Sequence, residues 1–357
     1  MLTIKSHFHD YSVEEHASLK IALENIDGSK GTFFLIDGVV VRNYAEVFEG
    51  LVPEEKRIVI EASEEQKSFE RLTPIFLELL ERGLKRDGIL VVIGGGVLQD
   101  IACFIATVLF RGVRWELIPT TLLAQADSCI GSKSSINIGT YKNQIGTFYP
   151  PHRVLLVNDV LRSLPWDEIR SGLGEVIKLQ LIAGESGFNE LMDDLQGVTP
   201  GGDLGVISKW VGRSMTVKTP YIEDDEMDRG IRNILNYGHT FGHAYESATK
   251  YTIPHGIAVL LGILTATHLS VRLGLVPASH YQDLQGRLSP WYHPYGDALL
   301  KADREAIFNA IRHDKKNTGD AVNCILTRGA GRMEKMKVEF LDDLVPAVDE
   351  FIQQKAF

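Results

Sequence analysis

As far as Asn158 the sequence alternates short β-branched runs with stretches of helical periodicity, and no other feature constrains its fold as strongly. The runs Phe33–Val41, Arg57–Glu61, Ile89–Ile93, Trp115–Pro119 and Arg153–Asn158 have strand character. Between them, Ser68–Lys85 and Val97–Phe110 carry apolar residues at three- and four-residue steps, the period of a helix with a buried face. Strands separated by helices pair in parallel, because each helix carries the chain back across the sheet. The expectation is an α/β N-terminal domain built on a doubly wound, mostly parallel sheet. Beyond Asp159 the strand signals fade, and helical patterns run from Trp166–Ile182 to Leu341–Gln354, so a mainly α-helical C-terminal domain is expected. Pro150, Pro151 and Pro165 bracket the change, which places the α/β domain at 1–158 and the helical domain at 159–357. Ligands of open α/β sheets bind beyond the strand C-termini, so the cleft between the halves is the expected site.

Size and charge narrow the partners. A chain of 357 residues exceeds the roughly 250–300 at which single cores stop growing, which makes two domains the natural division. The formal charge of −10 argues against nucleic acid or an anionic membrane, since either needs a broad basic footprint. Met1–Glu15 has no basic stretch followed by an apolar one, so no secretory leader is read there. The most apolar stretch, Ile257–Val271, is interrupted by Gly262, Thr265, Thr267 and His268 and falls short of the roughly 18 residues of a membrane span; it reads as a buried helix. Cys103, Cys129 and Cys324 are widely spaced and odd in number, which fits core thiols in a reducing cytoplasm.

Three groups of residues carry chemistry. Ile89–Ile93 runs into Gly94, Gly95 and Gly96 and then into the helix containing Val97 and Asp100, the layout of a phosphate cradle: glycines let the backbone come close, and a helix N-terminus offers free N–H groups. Thr120 and Thr121 follow the next strand at the same sheet end. The glycines are contiguous rather than spaced G-x-G-x-x-G, and by themselves suit a tight turn equally well. Next, His239 and His243 stand four apart on one helix, His255 opens the following one, and Glu175 lies in an otherwise apolar helix where an unpaired carboxylate would be costly. Two imidazoles and a carboxylate suit a zinc-like ion with open positions; the plainer readings are core histidines and a Glu175–Lys178 ion pair. Finally Arg111, Asp127, Lys133, Lys142, Asn143, Lys178, Lys218 and Arg232 are scattered among apolar or glycine-containing segments, either as solvated charges or as groups converging on a phosphate and hydroxyls.

Taken together and in order, these segments resemble the 3-dehydroquinate synthase family of sugar phosphate cyclases over roughly residues 60 to 330. The resemblance rests on the glycine run with Asp100, Phe110-Arg111-Gly112, Pro119 to Leu122, Asp127-Ser128, Lys133, Lys142-Asn143, Glu175 to Lys178, Arg232 to His243, His255-Gly256 and Asp314 to Lys316. It implies NAD bound by the α/β domain, with Gly94, Gly95, Gly96 and Val97 at the pyrophosphate and Glu64, Lys67, Asp100, Thr120, Thr121 and Lys142 nearby. It also implies zinc, or cobalt in its place, held by Glu175, His239 and His255. His243 then serves the substrate and proton transfer, and Lys133, Asn143, Lys218, Arg232 and Asn236 surround substrate hydroxyls and phosphate, with Arg111 and Lys315 or Lys316 close by. Asp127 and Lys178 partner the substrate or each other.

The chemistry so implied oxidises an alcohol of a seven-carbon keto-sugar acid phosphate, eliminates phosphate, returns the hydride and closes a carbocycle by an aldol step. The partner is thus a small-molecule sugar phosphate, and a homodimer is implied as well. Four departures stand out: Ile257 where a glutamate is usual, Cys103 for a helix glycine, Ser132, Ser134 and Ser135 around Lys133, and Asp228 for a glutamate. The serines leave open a specialised cyclase of sedoheptulose 7-phosphate or glucose 6-phosphate. A metal-dependent polyol or glycerol-phosphate dehydrogenase, which would release NADH, and a non-catalytic scaffold are the rivals from other classes.

Overall fold

The computed structural model describes residues 1–28, 31–139, 141–202, 204–312 and 321–354. The chain forms two compact units, Met1–Pro165 with Asp203–Met227, and Trp166–Gly202 with Asp228–Phe357. A single cut at 158/159 does not describe this division, because the segment 203–227 belongs to the first unit although it follows the first helices of the second.

In chain order the first unit holds β1 (Leu2–Ile4), β2 (Tyr11–His16), α1 (Leu19–Glu24), β3 (Thr32–Asp37), α2 (Gly38–Asn43), α3 (Ala45–Leu51), β4 (Arg57–Ile60), α4 (Phe69–Glu81), β5 (Ile89–Gly94), α5 (Gly96–Val108), β6 (Arg114–Pro119), the hairpin β7 (Ile136–Ile138) and β8 (Tyr141–Ile145), and β9 (Arg153–Val157). Seven strands make one sheet in the order β1-β2-β9-β6-β5-β3-β4. Only β1 with β2 is antiparallel; every other pair in the sheet runs parallel. β5 is buried at all six positions, as a strand covered on both faces must be. Strand β3 stops at Asp37 instead of continuing to Val41. The Asp37 carboxylate accepts from the Val39 N–H at 3.0 Å, and the apolar Val39 to Val41 run continues as a helical turn beyond that cap.

The second unit contains α6 (Trp166–Ala183) and α7 (Glu185–Leu195); α8 (Leu204–Asp224) then returns to the first unit, packing on the helical turn Ala124–Ser128. The second unit resumes with α9 (His239–Ala248), α10 (His255–Arg272), α11 (Ala278–Tyr292), α12 (Gly296–Leu300), α13 (Arg304–Arg312), the antiparallel pair β10 (Ala321–Thr327) and β11 (Met333–Glu339), and α14 (Val345–Gln353). α10 is its axis: Gly256 through Ser270 are all buried, and α6, α9, α11, α14 and β10 pack around it. A helix apolar on all sides needs such a complete jacket. By length and composition α10 is long and apolar enough to cross a membrane, and 83% of it is covered by the protein itself.

Candidate functional site

The second unit carries a carboxylate-and-imidazole centre. It begins with a close approach of helices: a Cβ on Gly174 would lie 2.3 Å from the Gly256 carbonyl oxygen, and one on Gly256 would lie 1.8 Å from the Ser171 carbonyl oxygen. The α6 and α10 backbones therefore touch, and the Gly256 N–H donates to Ser171 Oγ at 3.1 Å. That contact sets Glu175, the neighbour of Gly174, against His255, the neighbour of Gly256. Glu175 is fully buried. Its Oε1 lies 3.2 Å from His255 Nε2 and 3.5 Å from His239 Nε2, and its Oε2 lies 2.5 Å from Lys178 Nζ.

The other nitrogen of each imidazole decides what these contacts mean. His255 Nδ1 faces both oxygens of Glu246 at 3.2 Å, and His239 Nδ1 faces the Tyr237 carbonyl at 3.3 Å. Both partners accept hydrogen bonds only, so each Nδ1 carries a proton, and a ring left neutral then turns its Nε2 lone pair to Glu175. Lone pairs on two nitrogens and an oxygen then meet, which is stable only with a proton or a cation among them. Burial alone would favour a neutral His255, but Glu175 and Glu246 push it up to about 10. The edges of a tetrahedron around a zinc-like ion bound at 2.0–2.2 Å are about 3.3–3.6 Å, close to the two Glu175–imidazole distances. The donor set fits a divalent cation. His243, one turn along α9, has a ring nitrogen within 4.8 Å of those of His239 and His255.

The first unit carries the glycine turn. A Cβ on Gly95 would meet Thr121 Cγ2 at 2.8 Å, so any larger residue there would have to displace the Thr121 side chain beyond the end of β6. Thr120 N donates to the Gly94 carbonyl at 3.0 Å, which puts Thr120 and Thr121 at the same sheet end as the turn. α5 starts there without a side-chain cap, leaving first-turn N–H groups for an anion. One turn into α5, Asp100 Oδ2 lies 3.2 Å from Lys67 Nζ, which is also 3.5 Å from Glu64 Oε2. Although burial alone would favour the neutral amine, Asp100 and Glu64 hold Lys67 above the usual lysine range. Lys142 Nζ is 3.7 Å from Glu64 Oε1, Asn137 Nδ2 donates to that same oxygen at 2.9 Å, and the Asn143 N–H donates to Asn137 Oδ1 at 2.8 Å. The orphan donors of α5 and this ring of charges fit a dinucleotide.

The remaining site residues fall in several places. Lys218 of α8 pairs with Asp127 Oδ1 at 2.5 Å and also donates to its main-chain carbonyl. Lys133 is exposed beside the hairpin. Arg111 is exposed in a left-handed turn with Phe110 and Gly112, and among the described residues it pairs with none of the others. Arg232 is buried in the turn Ile231–Asn236, where Asn236 Nδ2 donates to the Asn233 carbonyl at 3.1 Å. Lys315 and Lys316 lie outside the described residues.

Of the departures, Ile257 is fully buried, and Glu246 supplies the carboxylate that faces His255. Cys103 is a buried thiol pushed up to about 12, chiefly by burial, that donates to the Tyr149 carbonyl at 3.2 Å. Asp228 accepts from Asn233 Nδ2 at 3.1 Å. Glu246 is the residue that sequence reasoning passed over. Its place three residues after His243, in His243-Ala-Tyr-Glu246, was the available signal.

A parallel-sheet unit with a strand–glycine–helix turn and a helical unit with a buried glutamate and paired histidines together define the dehydroquinate synthase-like class. Residues 57–171 match the 3-dehydroquinate synthase N-terminal family and residues 172–317 the C-terminal one. The 3-dehydroquinate synthase of Dictyoglomus thermophilum is 36% identical over 92% of both chains. A 2-deoxy-scyllo-inosose synthase solved with carbaglucose-6-phosphate, NAD+ and Co2+ superposes with a TM-score of 0.84 at 25% identity over 99% of both chains. A 2-epi-5-epi-valiolone synthase from Streptomyces hygroscopicus subsp. jinggangensis, solved with NAD+ and Zn2+, shares the fold with a TM-score of 0.79 at 23% identity over 99% of both. The chain belongs to the 3-dehydroquinate synthase family.

Proposed function

We propose that the chain is a sugar phosphate cyclase of the 3-dehydroquinate synthase type, converting a seven-carbon keto-sugar acid phosphate to a carbocycle with loss of phosphate. The observation that carries the reading is the convergence of Glu175 Oε1 with His239 Nε2 and His255 Nε2 at 3.5 and 3.2 Å. In this reading those three residues hold zinc or cobalt, and Gly94, Gly95, Gly96, Val97 and Asp100, with Glu64, Lys67, Thr120, Thr121 and Lys142, hold NAD. When bound, NAD exchanges a hydride with the substrate alcohol and the metal polarises the substrate oxygens as a Lewis acid.

The protein's own groups do the rest. Lys178, 2.5 Å from Glu175, balances the buried carboxylate. His243, whose ring lies beside the His239 and His255 imidazoles, takes and returns the proton of a substrate hydroxyl. Arg232, Lys218, Asn236, Asn143, Lys133, Arg111 and Lys316 bind the carboxylate, phosphate and hydroxyls, with Asp127 setting the Lys218 amine. A cytoplasmic homodimer belongs to the same reading.

The test supplies NAD with zinc or cobalt and, separately, the seven-carbon keto-acid phosphate, sedoheptulose 7-phosphate and glucose 6-phosphate, following phosphate release and absorbance at 340 nm. Phosphate release from the keto-acid alone, with no net NADH, is expected. Release only from one of the other sugars would reassign the substrate, and accumulating NADH without phosphate would mean a dehydrogenase.

A further inference from the structure

Ser135 immediately precedes the β7–β8 hairpin, and it is bound to α5 at two points. Its main-chain N–H donates to Asp100 Oδ1 at 3.2 Å, and its hydroxyl donates to Asp100 Oδ2 at 2.9 Å. The second oxygen also faces Lys67 Nζ at 3.2 Å. Asp100 is thus clamped from both sides, by a lysine on the segment before α4 and by a serine on the segment leading into the hairpin. The rest of the network hangs from the same hairpin. The Asn137 N–H donates to the Lys67 carbonyl at 2.9 Å, Asn137 Nδ2 holds Glu64, and Lys142 faces Glu64 across 3.7 Å. Without a side-chain donor at position 135, the hairpin would hold Asp100 through one main-chain N–H alone.

We infer that Ser135 is a positioning residue for the dinucleotide: its hydroxyl fixes the Asp100 carboxylate and ties the hairpin bearing Lys142 and Asn143 to the helix that starts at the glycine turn. In this role Ser135 acts through Asp100, the group its N–H and hydroxyl both hold. This rests on the reading of the first unit as an NAD site. A hydrogen bond to a charged carboxylate is among the stronger kind, and its loss also frees two segments that must be reordered when the ligand binds.

The experiment measures NAD affinity of the full-length protein by titration calorimetry, with no sugar phosphate present. Ser135→Ala is expected to weaken NAD binding about 5–20-fold while the melting temperature of the NAD-free protein stays within about 2 °C. Ser135→Thr, which keeps the hydroxyl, should recover affinity to within about threefold. In an Asp100→Asn background, Ser135→Ala should weaken binding by much less than in the wild type, because the charged acceptor is already gone. If the wild-type chain binds no NAD, the cofactor assignment falls. If it binds NAD and Ser135→Ala binds equally well, or if the two substitutions act additively, the positioning role falls while the cofactor assignment stands.

Discussion

At His255 the question of ligand or core histidine turns on the nitrogen that faces away from Glu175. Glu246 holds Nδ1 through both its oxygens, which fixes the tautomer and raises the basicity of Nε2. Glu246→Ala should therefore lower zinc or cobalt affinity about 10–100-fold, measured by competition with a chromogenic chelator. Glu246→Gln, which can still accept from Nδ1, should fall between that variant and the wild type. Unchanged metal affinity in both variants would show that His255 is oriented by packing alone. The spacing from His243 places Glu246 on the histidine helix, but its pairing was not legible for a physical reason: its partner lies nine residues on, across the turn between α9 and α10, and helical periodicity says nothing about that turn. Glu175 was legible because a lone carboxylate in the Gly172–Ile182 run, which is buried throughout, demands cationic partners.

A second histidine pair, far from any ligand role, sets an acid limit. The His9 and His152 rings stack at 3.9 Å with Tyr149 edge-on to both, and among the described residues His9 Nε2 and His152 Nδ1 are buried without hydrogen-bond partners. Burial first, then the nearby charges of His9 and Arg114, push His152 down to about 4. Its folded pKa lies below the unfolded value of 6.5, so between those values the unfolded chain binds a proton that the folded one refuses, and stability falls as the pH drops through that window. Above pH 6.5 the contribution of the pair to the pH dependence fades as the unfolded chain loses that proton. Denaturant titrations from pH 7 to 4 should show this loss, and His152→Gln should flatten the slope by at most about one proton. An unchanged slope in that variant would locate the acid sensitivity elsewhere.

At the scale of elements, the site is made by helices whose backbones touch. With a Cβ on Gly256 only 1.8 Å from the Ser171 carbonyl oxygen, Gly256→Ala must push α10 away from α6. The cost is expected at or above the upper end of the about 1–3 kcal/mol typical of overpacking, read as a lower urea midpoint, with metal affinity falling in parallel. Gly286, inside α11, is the internal control. Nothing lies within 4 Å of its would-be Cβ, so Gly286→Ala should stabilise by about 0.5–1 kcal/mol. If the two alanines behaved alike, close packing would not be what brings Glu175 to His255.

Five of the six parallel strands and the long helices could be read in advance because burial imposes a period on each. β2, with the polar sequence Tyr-Ser-Val-Glu-Glu-His, carries no such imprint, and it is paired through the backbone with β1 and β9. The β10–β11 pair was passed over because Met333–Glu339, apolar only at 333, 336 and 338, shows no regular alternation and sits in an otherwise helical stretch. The membership of α8 was equally hidden. Its periodicity makes it a helix, but what Lys218 pairs with, and hence which unit it joins, depends on Asp127, 91 residues earlier.

For the molecule as a whole, the two donor sets share no residue: the glycine turn with Glu64, Lys67, Asp100 and Lys142 belongs to one unit, and Glu175, His239 and His255 to the other. In the proposed reaction both are needed together, but nothing in either set requires the other to be loaded first. Glu175→Gln removes the charge on which the imidazoles converge, so it should abolish measurable zinc or cobalt binding and phosphate release while leaving NAD affinity within about threefold of wild type. Gly95→Val places a branched side chain where a single Cβ would already meet Thr121 at 2.8 Å, so it should do the reverse, losing NAD and keeping the metal. Thermal unfolding adds an independent readout, since a ligand at 100 times its Kd stabilises the state it binds by about 2.7 kcal/mol. Zinc should raise the melting temperature of Gly95→Val but not of Glu175→Gln, and NAD should do the opposite. Loss of both ligands in either single variant would mean that the two sites are one cooperative structure, and the assignment of each ligand to its own unit would fail.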